Sequence, residues 1–138
     1  MIDGYQLDDD PHRVDREVVW DFLSQHAYWA RWRTRADVEA QLDSAWRVIG
    51  AYDTTTGQMV GFARAVSDGV SFGYLADVFV VEGARGRGLG ARLVRAMVEA
   101  GPGVGFRWLL HTADAHGLYA QFGFQAADRS VMERPGRS

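Results

Sequence analysis

The chain contains no cysteine. That excludes disulfides, thiolate metal sites and a cysteine nucleophile together, and it fits a reducing compartment. Lysine is absent as well, so the Lys-Ser or Lys-Thr pair that closes a Walker phosphate loop is missing and NTP hydrolysis by that device is excluded. No apolar run approaches the length needed to cross a bilayer, and "MIDGYQLDDD" at the N-terminus has acids where a secretory leader has a basic and then an apolar segment. A cytoplasmic protein that does not engage membranes is expected. A basic surplus is also lacking: the formal net charge is −3, opposite in sign to the footprint of a general nucleic-acid binder. Any anion site must therefore be local.

What is present suits a packed core. Hydrophobic residues make up 47% of the 138, with five Trp, five Tyr and seven Phe, enough for one domain over residues 1–138 without metal or disulfide staples. Val18, Val19, Phe22, Leu23, Ala27 and Tyr28 recur at helical spacing and predict a first helix over 15–32, begun near "HRVD". Thr34 and Asp37 stand in a capping relation ahead of "RADVEAQLDSA", a second helix. "WRVIGAYD" and "QMVGFARAVS" read as a hairpin joined by "TTTG", and Asp68-Gly69 turns the chain into "VSFGYLADVFVV", giving an antiparallel meander. Leu89, Leu93, Val94, Met97 and Val98 share one helical face before Gly101-Pro102. "RWLLHTA" then reads as a strand, "AHGLYAQF" as a short helix, and "GFQAAD" and "SVMER" as closing strands. The expected class is α+β, with a mixed central sheet of about six or seven strands and about four flanking helices.

The segment "VEGARGRGLGARLV", residues 81–94, holds four glycines and three arginines. Gly86, Gly88 and Gly90 alternate, which lets successive backbone N–H groups converge, and the following helix adds its positive N-terminal end. Arg85, Arg87, Arg92 and Arg95 bring four positive charges with no acid between them. Such glycines can be purely geometric and such arginines merely solvated. Their combination with an amphipathic helix favours a phosphate-bearing ligand. Gly86, Gly88 and Ala91 also match the G-x-G-x-x-A spacing of a dinucleotide fingerprint. Against that rival, "VEGAR" intervenes between strand and glycines, and the chain after the helix is too short for a second nucleotide-binding half.

Taken with "AHGLYAQFGF", the loop resembles the GNAT superfamily of N-acetyltransferases. Arg85, Gly88 and Gly90 meet the pattern Arg or Gln, x, x, Gly, x, Gly or Ala; Leu118, Tyr119, Gly123 and Phe124 meet a later Leu-Tyr-x-x-x-Gly-Phe element. The resemblance covers about residues 47–125 and also takes in "AYWARWR" and "YLADVFVV". It implies that the fourth and fifth strands run parallel and splay apart, with acetyl-CoA as cosubstrate lying in the gap. The backbone of Phe79, Val80 and Val81 would then pair with the pantetheine amides. The amides of Arg85, Gly86, Arg87, Gly88, Leu89, Gly90 and Ala91 would hold the pyrophosphate, and the side chain of Arg85 or Arg87 would reach the terminal phosphates. Where the family often has Asn, seven residues before its Tyr, this chain has Thr112.

Direct transfer to an amine needs a neutral nucleophile, an oxyanion donor and an acid for the leaving thiolate. By resemblance Tyr119 is the acid. A backbone N–H near Val80 suits the oxyanion. Asp77, inside an otherwise apolar strand, leads the candidates for general base, ahead of His111 and Glu82, although each separately also suits a structural role. His111 and His116 have no plausible metal partners, so no metal is expected. The acceptor, a small-molecule or peptide amine, should meet the first helices and the meander. Tyr28, Trp29, Trp32 and Trp46 are aromatics that serve either a core stripe or an amine pocket, and Arg64 or Asp68 could add charge selectivity. Relatives often pair through sheet edges, so a homodimer is a further expectation. A non-catalytic CoA-binding module would share the same loop.

Overall fold

A computed structural model describes residues 4–26 and 33–136. A single 3-10 turn at Pro11–Arg13 leads into Asp15, whose carboxylate accepts the amides of Glu17 and Val18 at 3.1 and 3.3 Å. That cap starts helix α1, Arg16–Gln25, which buries Val19, Phe22 and Leu23. The remainder of the expected first helix, residues 27–32, lies outside the described residues. Helix α2, Arg35–Ser44, opens on a reciprocal capping box: the Asp37 amide donates to Thr34 Oγ1 at 3.1 Å and the Thr34 amide donates to the Asp37 carboxylate at 2.9 Å. Two otherwise unpaired amides are thereby satisfied.

Among the described residues the sheet has five strands in the order β1 (Tyr5–Asp8), β2 (Arg47–Asp53), β3 (Met59–Ser67), β4 (Phe72–Val80) and β5 (Arg107–Leu109). The first four pair antiparallel and β4–β5 is parallel. Six or seven strands were expected, and two things differ. The N-terminal β1 was not foreseen, because its four residues sit beside a run of acids. The closing strands at "GFQAAD" and "SVMER" do not form: no strand is present in residues 125–136. Asp128 accepts the Ser130 amide at 2.8 Å, and its carbonyl accepts the Val131 amide at 3.3 Å. This local turn offers the backbone an alternative to a ladder.

Helix α3, Leu89–Val98, and the short α4, His116–Ala120, complete the α-helices of the described residues. One apolar cluster, with Val19, Leu23, Val38, Tyr52, Phe62 and Phe79, lies on the α1–α2 face of the sheet. The other, with Ile49, Ala63, Leu75, Leu93, Val94 and Met97, lies under α3.

Strand β4 changes face part-way along. Phe62 pairs with Phe79 but Arg64 pairs with Ala76, so β4 has one residue more than β3 in this interval. The irregularity is marked by Asp77, which has φ +54°, a left-handed conformation that Asp tolerates better than most residues. Because side chains alternate with period two, an extra residue reverses parity. Leu75 therefore packs under α3 while Phe79 stacks on Phe22 in the other cluster, with ring centroids 4.1 Å apart.

Candidate functional site

The parallel pair β4–β5 is joined over only three residues on each strand, Phe72 to Tyr74 against Arg107 to Leu109. Beyond Tyr74, β4 continues for six residues without β5 beside it. The parting opens a cleft of about 820 Å³ whose walls include residues 74–80, Leu110, Thr112, Leu118 and Tyr119, with Gly90, Arg33 and Arg64 also on its lining. The expected splay is present.

At the β4 end, the Val81 amide donates to the Val60 carbonyl at 2.9 Å. Strand alternation then turns Val80 the other way, towards the gap. Its carbonyl accepts Arg85 Nε at 3.1 Å. The Val81 N–H is thus engaged within the sheet, leaving Val80 as the residue of the expected trio that faces the opening with both backbone groups.

The glycine loop follows a 3-10 turn at Glu82–Ala84, in which the Arg85 amide donates to the Glu82 carbonyl at 3.2 Å. Gly86 and Gly88 adopt φ +80° and +77°, values that a residue with a Cβ reaches only at a cost. Among the described residues, no protein acceptor engages the amides of Gly86, Arg87, Gly88, Leu89, Gly90 or Ala91. Arg92 Nη1, in the first turn of α3, is buried and also lacks a protein partner among the described residues. Unpartnered donors at the positive end of a ten-residue helix form a fitting cradle for a diphosphate. Arg85 and Arg87 are exposed; Arg87 lies 6.0 Å over the Tyr5 ring.

Tyr119 lies on α4, a helix closed by Gly123 at φ +84°, with its ring edge-on to Phe124. Burial, and next the charge of Asp114, raise its pKa above the ordinary 10.0. The hydroxyl therefore stays protonated at neutral pH. Thr112 also lines the cleft, but its Oγ1 accepts the Ala115 amide at 3.1 Å at the entrance to α4.

Asp77 is not a free carboxylate. Arg33 grips it with two nitrogens, at 2.7 and 3.0 Å, and Arg64 Nε donates to it at 2.9 Å. Arg33 Nη1 also donates to Gln41 of α2 at 2.6 Å. The Asp77 side chain is only 6% exposed. Burial alone would push its carboxyl up, but the hydrogen bonds and charges of Arg33 and Arg64 outweigh it and hold the pKa below 3.8. A carboxylate so stabilised is a weak base, which counts against the leading role expected for it. Arg64 is correspondingly tied to Asp77, with its charge beside the cleft.

The other expected residues fall as follows. Asp68 accepts the amides of Val70, Ser71 and Phe72 and is held at about 2, so its charge serves its own turn. Trp46 packs on Phe106, with centroids 5.1 Å apart, and joins the cluster under α3. Glu82 is exposed in the turn before the glycines. Tyr28, Trp29 and Trp32 lie outside the described residues. His111 lines the cleft, and its ring bonds Tyr74 Oη through Nδ1 at 2.6 Å and Glu133 through Nε2 at 2.9 Å.

A sheet with one parallel pair does not provide the doubly wound parallel core of a dinucleotide fold. The acetyltransferase (GNAT) family model, in contrast, matches residues 5–124. The chain belongs to the GNAT family. Acyl transfer is the general activity of this family, and its acetyltransferases include proteins similar to this chain. Glucosamine 6-phosphate N-acetyltransferase 1 of Oryza sativa subsp. japonica is 37% identical over 101 residues, covering 67% of this chain and 61% of the rice protein. An acetyltransferase-named protein of Gibberella zeae is 27% identical over 84 residues, 61% of this chain and 45% of its own. The chain thus spans roughly half of these two curated relatives' lengths, 45% and 61%. A Xanthomonas campestris structure ascribed to the GNAT family superposes with TM-score 0.90 at 34% identity, covering 99% of this chain and 96% of that one. N-acetylglutamate synthase of Neisseria gonorrhoeae, solved with coenzyme A and N-acetyl-glutamate, shares the fold alone, with TM-score 0.71 at 16% identity, over 93% of this chain and 30% of that one.

Three side chains of the GNAT-family cleft region escaped sequence reasoning: Arg33, Tyr74 and Glu133. Arg33 and Asp77 are 44 positions apart, and Tyr74 and Glu133 meet His111 across 37 and 22. No local spacing rule connects such pairs. Arg33 had one sequence cue, its place at the end of the family-like "AYWARWR".

Proposed function

We propose that this GNAT-family chain transfers the acetyl group of acetyl-CoA directly to a primary amine. The observation that carries the reading is that one cleft on the open side of β4 is lined both by Gly90 of the glycine segment and by Tyr119. When bound, acetyl-CoA supplies an activated thioester. The amides of Gly86, Arg87, Gly88, Leu89, Gly90 and Ala91, helped by Arg92, would hold its diphosphate. The backbone of Val80 on the open side of β4 would meet the acyl end of the pantetheine arm, and its N–H, turned to the gap, would face the thioester oxygen. Tyr119, kept protonated, would donate its hydroxyl proton to the departing sulfur. Asp77 and its two arginines fix the bulge that aims this stretch of β4. The absence of cysteine supports transfer without a covalent thiol intermediate on the protein.

Thermal-shift measurement with acetyl-CoA and with NAD, followed by thiol-release assays on a panel of primary amines, tests this. Stabilisation by acetyl-CoA alone and thiol release with at least one amine are expected. Tyr119→Phe should lower turnover by about 10²- to 10⁴-fold while leaving the acetyl-CoA shift unchanged. Stabilisation without release from any amine would favour a CoA-binding module, and stabilisation by NAD alone would overturn the reading.

A further inference from the structure

An amine such as lysine's has a pKa of about 10.4 and reaches the site as an ammonium, so a proton must leave before attack. Asp77 is a weak acceptor for the reason given above. Three side chains make an alternative chain: Tyr74 on β4, His111 just beyond β5, and Glu133 in the C-terminal segment. Tyr74 and His111 both line the cleft. The contacts Tyr74 Oη to His111 Nδ1, 2.6 Å, and His111 Nε2 to Glu133, 2.9 Å, are both of hydrogen-bond length.

Their chemistry fixes a direction. The Glu133 carboxylate only accepts, so Nε2 carries the proton and Nδ1 presents a lone pair; the Tyr74 hydroxyl then donates to Nδ1. We propose that Tyr74, His111 and Glu133 form the proton relay that deprotonates the acceptor amine. This rests on the transferase reading. An ammonium proton passes to Tyr74 Oη as the phenolic proton passes to His111 Nδ1. The imidazolium so formed faces Glu133 and later returns its proton to solvent. The first transfer breaks an ammonium N–H and forms an O–H on Tyr74, the second breaks the phenolic O–H and forms an N–H on His111, and no bond to carbon changes in this step. Glu133 touches neither substrate nor reacting atom and is a positioning residue.

The charged groups around Tyr74 are Arg64 on β3, Asp77 on β4 and Glu133. Burial raises its pKa first of all, Arg64 acts to lower it, and Asp77 and Glu133 raise it; the net shift is upward. Tyr74 therefore remains a hydroxyl that conducts a proton and does not become a resident phenolate.

Two measurements on the full chain test the relay. In ¹⁵N-histidine NMR, with His111 assigned through His111→Gln, the ring should be protonated at Nε2 and bare at Nδ1, and Tyr74→Phe and Glu133→Gln should each displace its signals. The opposite tautomer overturns the relay. In acetyl-CoA thiol release with glycinamide as probe amine, Tyr74→Phe and His111→Gln should each lower kcat about 10²-fold at pH 7, with the acetyl-CoA thermal shift retained. Glu133→Gln should have a smaller effect. The deficit should shrink as pH rises towards the amine's own pKa, because the free amine then needs no base; a purely structural loss would persist. Wild-type rates matched by the variants overturn the relay alone. No release by the wild type, with glycinamide or any amine of the panel, overturns the transferase reading and the relay with it.

Discussion

At the scale of single residues, the cluster of Asp77, Arg33 and Arg64 ties function to stability. Replacing Asp77 by Asn would leave two buried guanidinium groups facing an uncharged amide, a change that costs about 3–5 kcal/mol when one partner of a buried pair is lost. The folded carboxyl lies below its ordinary 3.8, so its stabilisation is complete above that value and is lost as pH falls through the folded pKa. Urea denaturation at pH 7 and at pH 3 should accordingly show a large deficit for Asp77→Asn at the first pH and a smaller one at the second. Sequence reading found Asp77 because a lone acid in an apolar strand is conspicuous. It missed the partners that weaken it as a base, since ion pairs 44 and 13 positions apart leave no periodic trace.

Among the elements, the strand-loop-helix from β4 to α3 was the most legible, since glycine spacing and a helical apolar face are both local signals. The two capped helix starts were legible for the same reason. The short β1 and the end of the sheet were not, because a strand of three or four residues is decided by the edge available to it, and its own pattern is weak. The loop glycines themselves differ in purpose. Gly88 sits at φ +77°, so Gly88→Ala should cost about 1–2 kcal/mol and weaken acetyl-CoA stabilisation. Gly90 lies inside α3, with nothing within 4 Å of where its Cβ would stand, and the sequence pattern accepts Ala there. Gly90→Ala should therefore stabilise the protein by up to about 1 kcal/mol with acetyl-CoA stabilisation retained. Denaturant midpoints and thermal shifts for the two variants check both statements.

For the molecule as a whole, stability comes from two apolar layers on opposite faces of one sheet. Leu93 of α3 is fully buried, and a Cβ at Gly61 on β3 would stand only 3.1 Å from its Cδ1. This close seating leaves little room for collapse around a cavity, so Leu93→Ala should cost about 2–5 kcal/mol, read as a lowered urea midpoint with an unchanged m-value. The overall class and the parallel pair were legible because antiparallel hairpins and a crossover leave different linker lengths, whereas the parting of that pair was legible only through the family resemblance. The strand count was not, since it depends on pairing partners.

The parting of β4 from β5 has a cost of its own. From Leu75 to Val80 the sheet has a raw selvedge in its interior, where main-chain groups on the gap side, the Val80 N–H among them, have no neighbouring strand. A ligand threaded along it would act as a chaperoning strip, and a starved population should clump or suffer proteolysis sooner than a saturated one.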